Sequence, residues 1–393
     1  MLVFIILASI EILSFLVLKE HLYRISKLKF FISLIVHFVL SIWLWIMLIR
    51  VVSYRGSYDS PDNIRNHLEL SGLLCAVVFP RFFLIIAHYS GKLFRIRQMN
   101  HIRWLTSAGM VISFLIFFIV SIGSIVGRFN FKTEKVSIKI NGLDKDLDGF
   151  KIVQISDLHL SGFYRHPDQL QEVMEKINNY QPDLIINTGD FVDCGWREFD
   201  RSDTILLKAK SRYGNFAIFG NHDVGTYFPN ASDADKASII LNMRQLIASS
   251  GYTVLFDEHT YINIDSSKMA IIGVSSGGRH PLITHGDIGK ATKGLDSVDF
   301  KLFLCHDPNQ WEEDVVGKTD IDLTLSGHTH GMQIGIITKN FRWSPSKRYY
   351  PHWNGLFSEG DQYQYVNRGL GVLAVPFRIW MPPEITVIKL VAE

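Results

Sequence analysis

The hydrophobic pattern divides the chain in two. Residues 1–127 carry four long apolar runs, at 2–18, 30–49, 70–89 and 107–126. Each approaches the stretch of about 20 residues that a helix needs to cross about 30 Å of hydrocarbon. Runs 30–49 and 107–126 hold no charge, whereas 2–18 holds only Glu11 and 70–89 only Arg81. A charge at bilayer depth is costly. Glu11 is therefore read as interfacial and Arg81 as snorkelling, with pairing across helices as the alternative. The start lacks a basic leader and a small-residue cleavage site, so a four-helix transmembrane region over 1–130 is expected rather than a cleaved signal.

From Lys135 the period shortens. Short β-branched runs alternate with amphipathic stretches, which predicts strands and crossover helices of an α/β domain over 135–393. Strands are expected at Lys151–Ser156, Asp183–Asn187 and Phe216–Phe219, and helices at Pro167–Asn179, Phe199–Lys210 and Ala234–Ser249. Later strands follow with fewer helices: Thr253–Phe256, Tyr261–Ile264, Met269–Val274, Lys301–Leu304, Asp322–Leu325, Ile334–Ile337 and Ile385–Leu390. This length suits one domain with two sheets.

Polar clusters follow those strands. They are Ser156-Asp157-Leu158-His159, Thr188-Gly189-Asp190, Gly220-Asn221-His222-Asp223, Cys305-His306-Asp307 and Gly327-His328-Thr329-His330-Gly331. In a parallel sheet the ligand crevice lies beyond the carboxyl ends of the strands, so all five can converge on one rim. Residues i and i+2 of extended backbone point the same way, which lets Asp157/His159 and His328/His330 each aim two ligands into one pocket. Mixed carboxylate, imidazole and amide donors suit Mn²⁺, Fe or Zn²⁺. Seven ligands are too many for one ion and enough for two. Cys194 and Cys305 are read as packing residues near the site.

Charge sharpens the division. The formal net charge of +2 is the sum of +9 over residues 1–135 and −7 over 136–393. Three cysteines make no disulfide framework, and no basic patch argues for nucleic acid. Lys19, Arg24, Lys27 and Lys29 follow the first run, and Lys92, Arg95, Arg97 and Arg103 follow the third. In the second loop Arg50, Arg55 and Arg65 are diluted by Asp59, Asp62 and Glu69. Lys/Arg excess marks the cytoplasmic side, which places the domain after the fourth run outside. The 339–365 segment mixes Arg342, Lys347 and Arg348 with Phe341, Trp343, Tyr349, Tyr350, Trp353 and Phe357. Such a loop suits a membrane interface or an anionic lipid headgroup, or is a loop packed over the domain.

The five clusters, in this order, resemble the calcineurin-like metallophosphoesterases. The match rests on Asp157-x-His159, Gly189-Asp190, Gly220–Asp223, His306 and Gly327-His328-x-His330. Tyr365–Gly371 and Pro382-Pro383-Glu384-Ile385 resemble the membrane-anchored YkuE/YaeI-like branch, which includes a UDP-2,3-diacylglucosamine pyrophosphatase of lipid A synthesis. Gly331-Met332-Gln333 stands where that branch often has Gly-Gly-Gln.

The resemblance implies a two-sheet α/β/β/α sandwich behind the helices, in a multi-pass protein of a bacterial inner membrane. It implies two divalent ions, Mn²⁺ before Fe or Zn²⁺. Asp157, His159, Asp190 and His330 would hold one, and Asp190 would bridge to a second held by Asn221, His306 and His328. His222 would serve the leaving oxygen, with Asp223 orienting it. Arg368 is expected to touch substrate phosphate or brace the chain end. The implied reaction is hydrolysis of a phosphodiester, phosphomonoester or pyrophosphate by a hydroxide bridging the ions, on a phospholipid or lipid-linked headgroup. A membrane sensor that binds a phospholigand without turnover is the alternative from another class.

Overall fold

A computed structural model of the chain describes residues 2–93, 99–279, 282–338 and 340–393. Arg95, Arg97 and Lys339, used above in reading charge, lie outside the described residues. The chain forms two compact units. One comprises 1–55, 66–126 and 374–379, the other 56–65, 127–373 and 380–393.

The first unit is built of α1 (Leu2–Leu22), α2 (Lys27–Ser53), α3 (Pro61–Leu73) from residue 66 onward, α4 (Phe79–Leu93) and α5 (Met99–Ile125). α3 and α4 are joined by a π-helical turn at Leu74–Val78, so 61–93 is one helical run. Pro80 has no N–H to donate back along the helix, and the wide turn accommodates that break. Four helical runs are thus long and apolar enough to cross a membrane.

The two charges inside these runs pair with each other. Arg81 pairs with Glu11 and donates to the His37 carbonyl at 2.9 Å and to Ser41 Oγ at 3.0 Å. Ser41 in turn donates to Glu11. Pairing corrects the snorkelling expectation, because an unpaired charge among apolar helices costs more than one neutralised across them. Residues 374–379, far along the chain, also belong here. Phe377 is buried with Leu44, Met47, Leu73, Val77 and Val120.

The second unit opens with β1 (Lys132–Ile140), β2 (Lys151–Ile155), α6 (Pro167–Asn179), β3 (Leu184–Asn187), α7 (Ser202–Leu206), β4 (Asn215–Ala217), α8 (Asp233–Ser249) and β5 (Tyr252–Val254). Next come β6 (Glu258–Ile264), β7 (Ser267–Gly273), β8 (Ser276–Arg279), β9 (Leu282–His285), α9 (Ile288–Ala291), β10 (Phe300–Leu304) and β11 (Leu323–Ser326). It closes with β12 (Ile336–Ile337), β13 (Arg342–Trp343), β14 (Gly355–Glu359), β15 (Gln362–Val366) and β16 (Glu384–Ala392). One six-stranded sheet runs β1-β16-β2-β3-β4-β5 and a second β14-β15-β11-β10-β7-β6.

Strand periodicity assigns the layers. Ile152, Leu184 and Ile186 of the first sheet meet Met269, Ile271, Leu302, Leu304, Leu323 and Leu325 of the second in a shared core. Their alternates Val153, Ile155 and Ile185 face outward onto Leu170, Val173, Met174 and Ile177 of α6. On the far side, Ala270, Ile272 and Phe303 cover Ala291, Trp311 and Val315. This is an α/β/β/α sandwich. β2 to β5 are parallel, as are β7, β10, β11 and β15. Their carboxyl ends carry the polar clusters.

Two local expectations need correction. The helix expected at Phe199–Lys210 shrinks to α7, because Asp200 and Arg201 take positive φ of 33° and 69° and interrupt it. The 339–365 segment holds β13 and β14 as well as the start of β15, so much of it is sheet. Its Tyr350 and Trp353 are buried with Met381.

The connection between the second and third runs packs on the domain. Asp59 is buried and accepts from the Arg197 backbone at 3.3 Å and its guanidinium at 3.2 Å. Tyr58 and Phe228 rings meet at 6.1 Å.

Candidate active site

Each cluster sits on a turn directly after a strand, and the backbone there is unusual. Asp157, His159, Asp190, His328 and His330 all have positive φ, from 43° to 72°. Non-glycine residues rarely take this conformation, and it concentrates where side-chain aim matters more than backbone comfort. Two glycines let the turns approach. A Cβ on Gly220 would lie 2.0 Å from Asp190 Oδ1, and one on Gly327 1.9 Å from Ser156 Oγ.

The turns bring two groups together. Asp157, His159 and His330 form one, and Asp190, His306 and His328 the other, with the ligand atoms of each within 4.8 Å of one another. In the first, His330 Nε2 is 3.2 Å from Asp157 Oδ1 and 3.1 Å from His159 Nε2. In the second, His306 Nε2 is 3.0 Å from Asp190 Oδ2 and 3.1 Å from His328 Nδ1. The groups adjoin: Asp190 Oδ2 is 3.9 Å from His159 Nε2, and Asp157 Oδ1 is 4.0 Å from His306 Nε2.

Bonds beyond these atoms fix which nitrogen faces inward. His306 Nδ1 donates to the Thr188 carbonyl at 2.7 Å, which turns Nε2 toward Asp190. His159 Nδ1 lies 3.4 Å from Asp193 Oδ1. His328 Nε2 meets Tyr350 Oη at 2.7 Å, leaving Nδ1 for the site.

Charge states favour cations. Burial alone would raise Asp157, but His330 beside it holds the carboxyl below the usual range. Asp190 is held well below in the same way, mainly by His306. Burial, then His306, pushes His328 down to about 4. Burial lowers His306, but Asp190, with Asp157 and the Thr188 carbonyl, outweighs it and pushes the group up to about 10. Two carboxylates and a neutral imidazole are ready to ligate, and His306 must first surrender a proton. The donor set fits a pair of ions: buried carboxylate and imidazole donors converge, and Asn221 Oδ1 is buried with no hydrogen-bond partner among the described residues.

The remaining expected residues fall in different places. His222 lies beside this cluster, its ring centroid 5.1 Å from that of His159. Its Nδ1 donates to the Asp193 carbonyl at 2.6 Å. Asp223 instead accepts the backbone N–H groups of Asp190, Phe191, Val192 and Gly220 at 2.8–3.3 Å. It fastens one ligand loop to another, and the Asp193 carbonyl takes the orienting place expected of it. Arg368 is buried, paired to Glu384 at 3.1 Å and Glu134 at 2.8 Å, and donates to the Pro382 carbonyl. These partners brace β1 against the approach to β16, so the guanidinium has the bracing geometry rather than a substrate-facing one. Cys194 and Cys305 are buried and free.

Tyr227 and Asp193 are not among the expected site residues, and Tyr350 is expected only as part of an interfacial or packed loop. Asp193 carried a signal, three residues after Asp190 in a turn where i and i+3 meet. Tyr227 carried none.

Two histidine–carboxylate groups side by side at the carboxyl ends of two packed sheets define a metal-dependent phosphoesterase site. The calcineurin-like phosphoesterase family model matches residues 150–332. The metallophosphoesterase YkuE of Bacillus subtilis (strain 168) is 32% identical over 66% of this chain and 85% of its own length. This chain belongs to that family. A zebrafish (Danio rerio) transmembrane protein with metallophosphoesterase domain is 26% identical over 88% of this chain and 80% of its own. The UDP-2,3-diacylglucosamine pyrophosphatase LpxG of Chlamydia muridarum (strain MoPn / Nigg) is 27% identical over 63% of this chain and 85% of its own. With its four apolar helical runs, the chain is a membrane protein carrying a phosphoester hydrolase.

Proposed function

We propose that this enzyme hydrolyses a lipid-linked phosphodiester, phosphomonoester or pyrophosphate with two divalent ions, Mn²⁺ foremost. The observation that carries the reading is Asp190 Oδ2, placed 3.0 Å from His306 and 3.9 Å from His159, between the two groups. Asp157, His159 and His330 would hold one ion and Asn221, His306 and His328 the other, with Asp190 available to both. Bound ions would supply the positive charge that phosphate needs and acidify water at the site.

The chain's own groups do the rest. The Thr188 carbonyl locks the His306 ring in its ligating orientation. His222, anchored through Nδ1 to the Asp193 carbonyl, keeps Nε2 for the leaving oxygen. Burial, opposed by Asp190, lowers its pKa, which makes its proton easier to release. The helices hold the site close to lipids, which favours a lipid-linked substrate.

Purified full-length protein with Mn²⁺ is expected to hydrolyse an aryl phosphodiester, and Asp190→Ala or His222→Ala to lose at least about 10²-fold in rate. Full activity in either variant would overturn the site. LpxG similarity favours a second reading, cleavage of a nucleotide-linked lipid sugar. That reading needs the domain on the cytoplasmic side, whereas the Lys/Arg bias favours the outside. A compartment-sensitive reporter fused at the C-terminus separates them.

A further inference from the structure

We infer that the β12–β13 hairpin is a membrane-docking element that seats the active-site face of the domain on an anionic leaflet. The hairpin is a two-stranded ribbon in which Ile336 pairs with Trp343 and Ile337 with Arg342. Its turn is closed by the Thr338 N–H and hydroxyl donating to the Phe341 carbonyl at 2.8 and 3.1 Å. Successive residues of a strand face opposite ways. Ile337 turns inward and packs against Tyr350, Trp353 and Met381. Ile336 and Trp343 share the other face and are 42% and 46% exposed, with Phe341 at the tip 55% exposed. Aromatic and aliphatic side chains grouped in this way on a polar domain mark a surface that meets another apolar phase.

Three further observations choose the phase. First, no Asp or Glu occurs between Asp322 and Glu359, while Lys339, Arg342, Lys347 and Arg348 all do, in a region whose net charge over 136–393 is −7. Lys/Arg mixed with Trp and Phe is the composition of an interface with anionic lipid headgroups. Second, the chain beside the hairpin runs directly into the helical unit. Residues 374–379 pack in the helical unit, and Met381, two residues past Ile379, lies against the hairpin, where a Cβ on Gly335 would stand 2.3 Å from its Cε. Trp380 between them is 66% exposed. Third, the base is rigid and joined to the site. Ser344 Oγ donates to the Gly331 carbonyl at 2.6 Å, and Gly331 directly follows His330. Docking of the hairpin therefore fixes the height of the ligand turns above the leaflet.

The inference rests on the reading that the four helical runs cross a bilayer, and the test includes a position for that alone. Full-length protein in a Cys75→Ala background receives a single NBD-labelled cysteine at position 341, 35 or 241, and is placed one chain per nanodisc. Discs contain phosphatidylcholine with or without a quarter phosphatidylglycerol, plus a lipid carrying a nitroxide high on its acyl chain. Exposed Ile35 reports on α2 and exposed Leu241 on α8. NBD at 341 should be quenched at least twice as strongly as at 241, and more strongly with phosphatidylglycerol. Quenching at 35 with none at 341 overturns the docking element and leaves the membrane reading intact. No quenching at 35 overturns both. Blue-shifted emission at 341 without nitroxide quenching means burial against protein, and also overturns it.

Discussion

Tyr227 lies flat against His222, the ring centroids 3.9 Å apart and the planes 3° from parallel. Its hydroxyl also accepts from Asn221 Nδ2 at 3.2 Å, so one side chain steadies the proposed proton donor and a proposed metal ligand. The Arg279 guanidinium stands 5.5 Å over the same ring. An aromatic pair of this kind contributes about 1 kcal/mol beyond burial. Tyr227→Ala should therefore lower kcat about 5–10-fold. Tyr227→Phe keeps the stack and loses only the Asn221 contact, so its kcat should hold while the Mn²⁺ concentration for half-activation rises. Initial rates across a Mn²⁺ titration distinguish the two effects, and equal loss of kcat in both variants would deny the stack its role.

Gly220 is a point of very close approach between two ligand turns. A methyl there would lie 2.0 Å from Asp190 Oδ1 and 2.7 Å from the Asp190 backbone nitrogen, and neither is a flexible chain end. The φ of Gly220 is not positive, so the demand is for space rather than for a left-handed conformation. Gly220→Ala should push Asp190 out of its shared position. Metal analysis of the purified variant is expected to show less than one ion per chain where the parent holds two. Retention of both ions would mean that the turns can separate without cost to the site.

Glu198 holds the turn that follows Asp190. Its carboxylate accepts the N–H groups of Asp193, Cys194 and Gly195 at 2.9, 2.7 and 3.0 Å and the Ser161 hydroxyl at 2.9 Å. It is 1% exposed, so Glu198→Ala strands several buried donors. The cost should be about 3 kcal/mol. For a domain of this size that corresponds to a fall in Tm of roughly 6–12 °C. Thermal unfolding of the detergent-solubilised protein measures it, and a fall under 2 °C would show that water replaces the carboxylate.

How much of this the sequence disclosed depends on where each interaction lies along the chain. α6 runs over the residues expected because its four apolar positions and its first-turn proline are all local. The five clusters were legible for the same reason: strand, turn and ligands are contiguous, and the fold only has to bring the turns together. β1 was not among the expected strands, although Val136, Ile138 and Ile140 alternate with charged and polar residues in the period of a strand. Its pairing partner, β16, starts 252 positions later at the first register pair, Lys132 with Glu384. Asp59 and Phe377 likewise act on residues far from them in sequence, and nothing in their neighbours announces it. Asp223 was legible as important but not in its role, since a carboxylate beside a histidine looks the same whether it turns to that ring or to four backbone N–H groups.

His285 offers a pH test at the margin of the site, since its partner Asp307 directly follows His306. Its Nε2 is 3.8 Å from Asp307 Oδ2 and its Nδ1 3.3 Å from Glu313 Oε2. Burial lowers the imidazole, but Asp307, with Glu313 and Asp314, outweighs it and leaves the group above the ordinary value of 6.5. Burial raises Asp307, and His285 in turn holds it below 3.8. An imidazole raised by folding adds stability that is complete below its unfolded value and fades as pH rises through the folded one. The depressed carboxyl adds stability that is present above 3.8 and fades on acidification through its folded value. The pair is therefore strongest in mildly acidic solution. His285→Gln should lower Tm at pH 5.5 and converge on the parent at pH 8.5, as followed by thermal unfolding at fixed ionic strength. A deficit that is constant across this range would assign the loss to packing instead of charge.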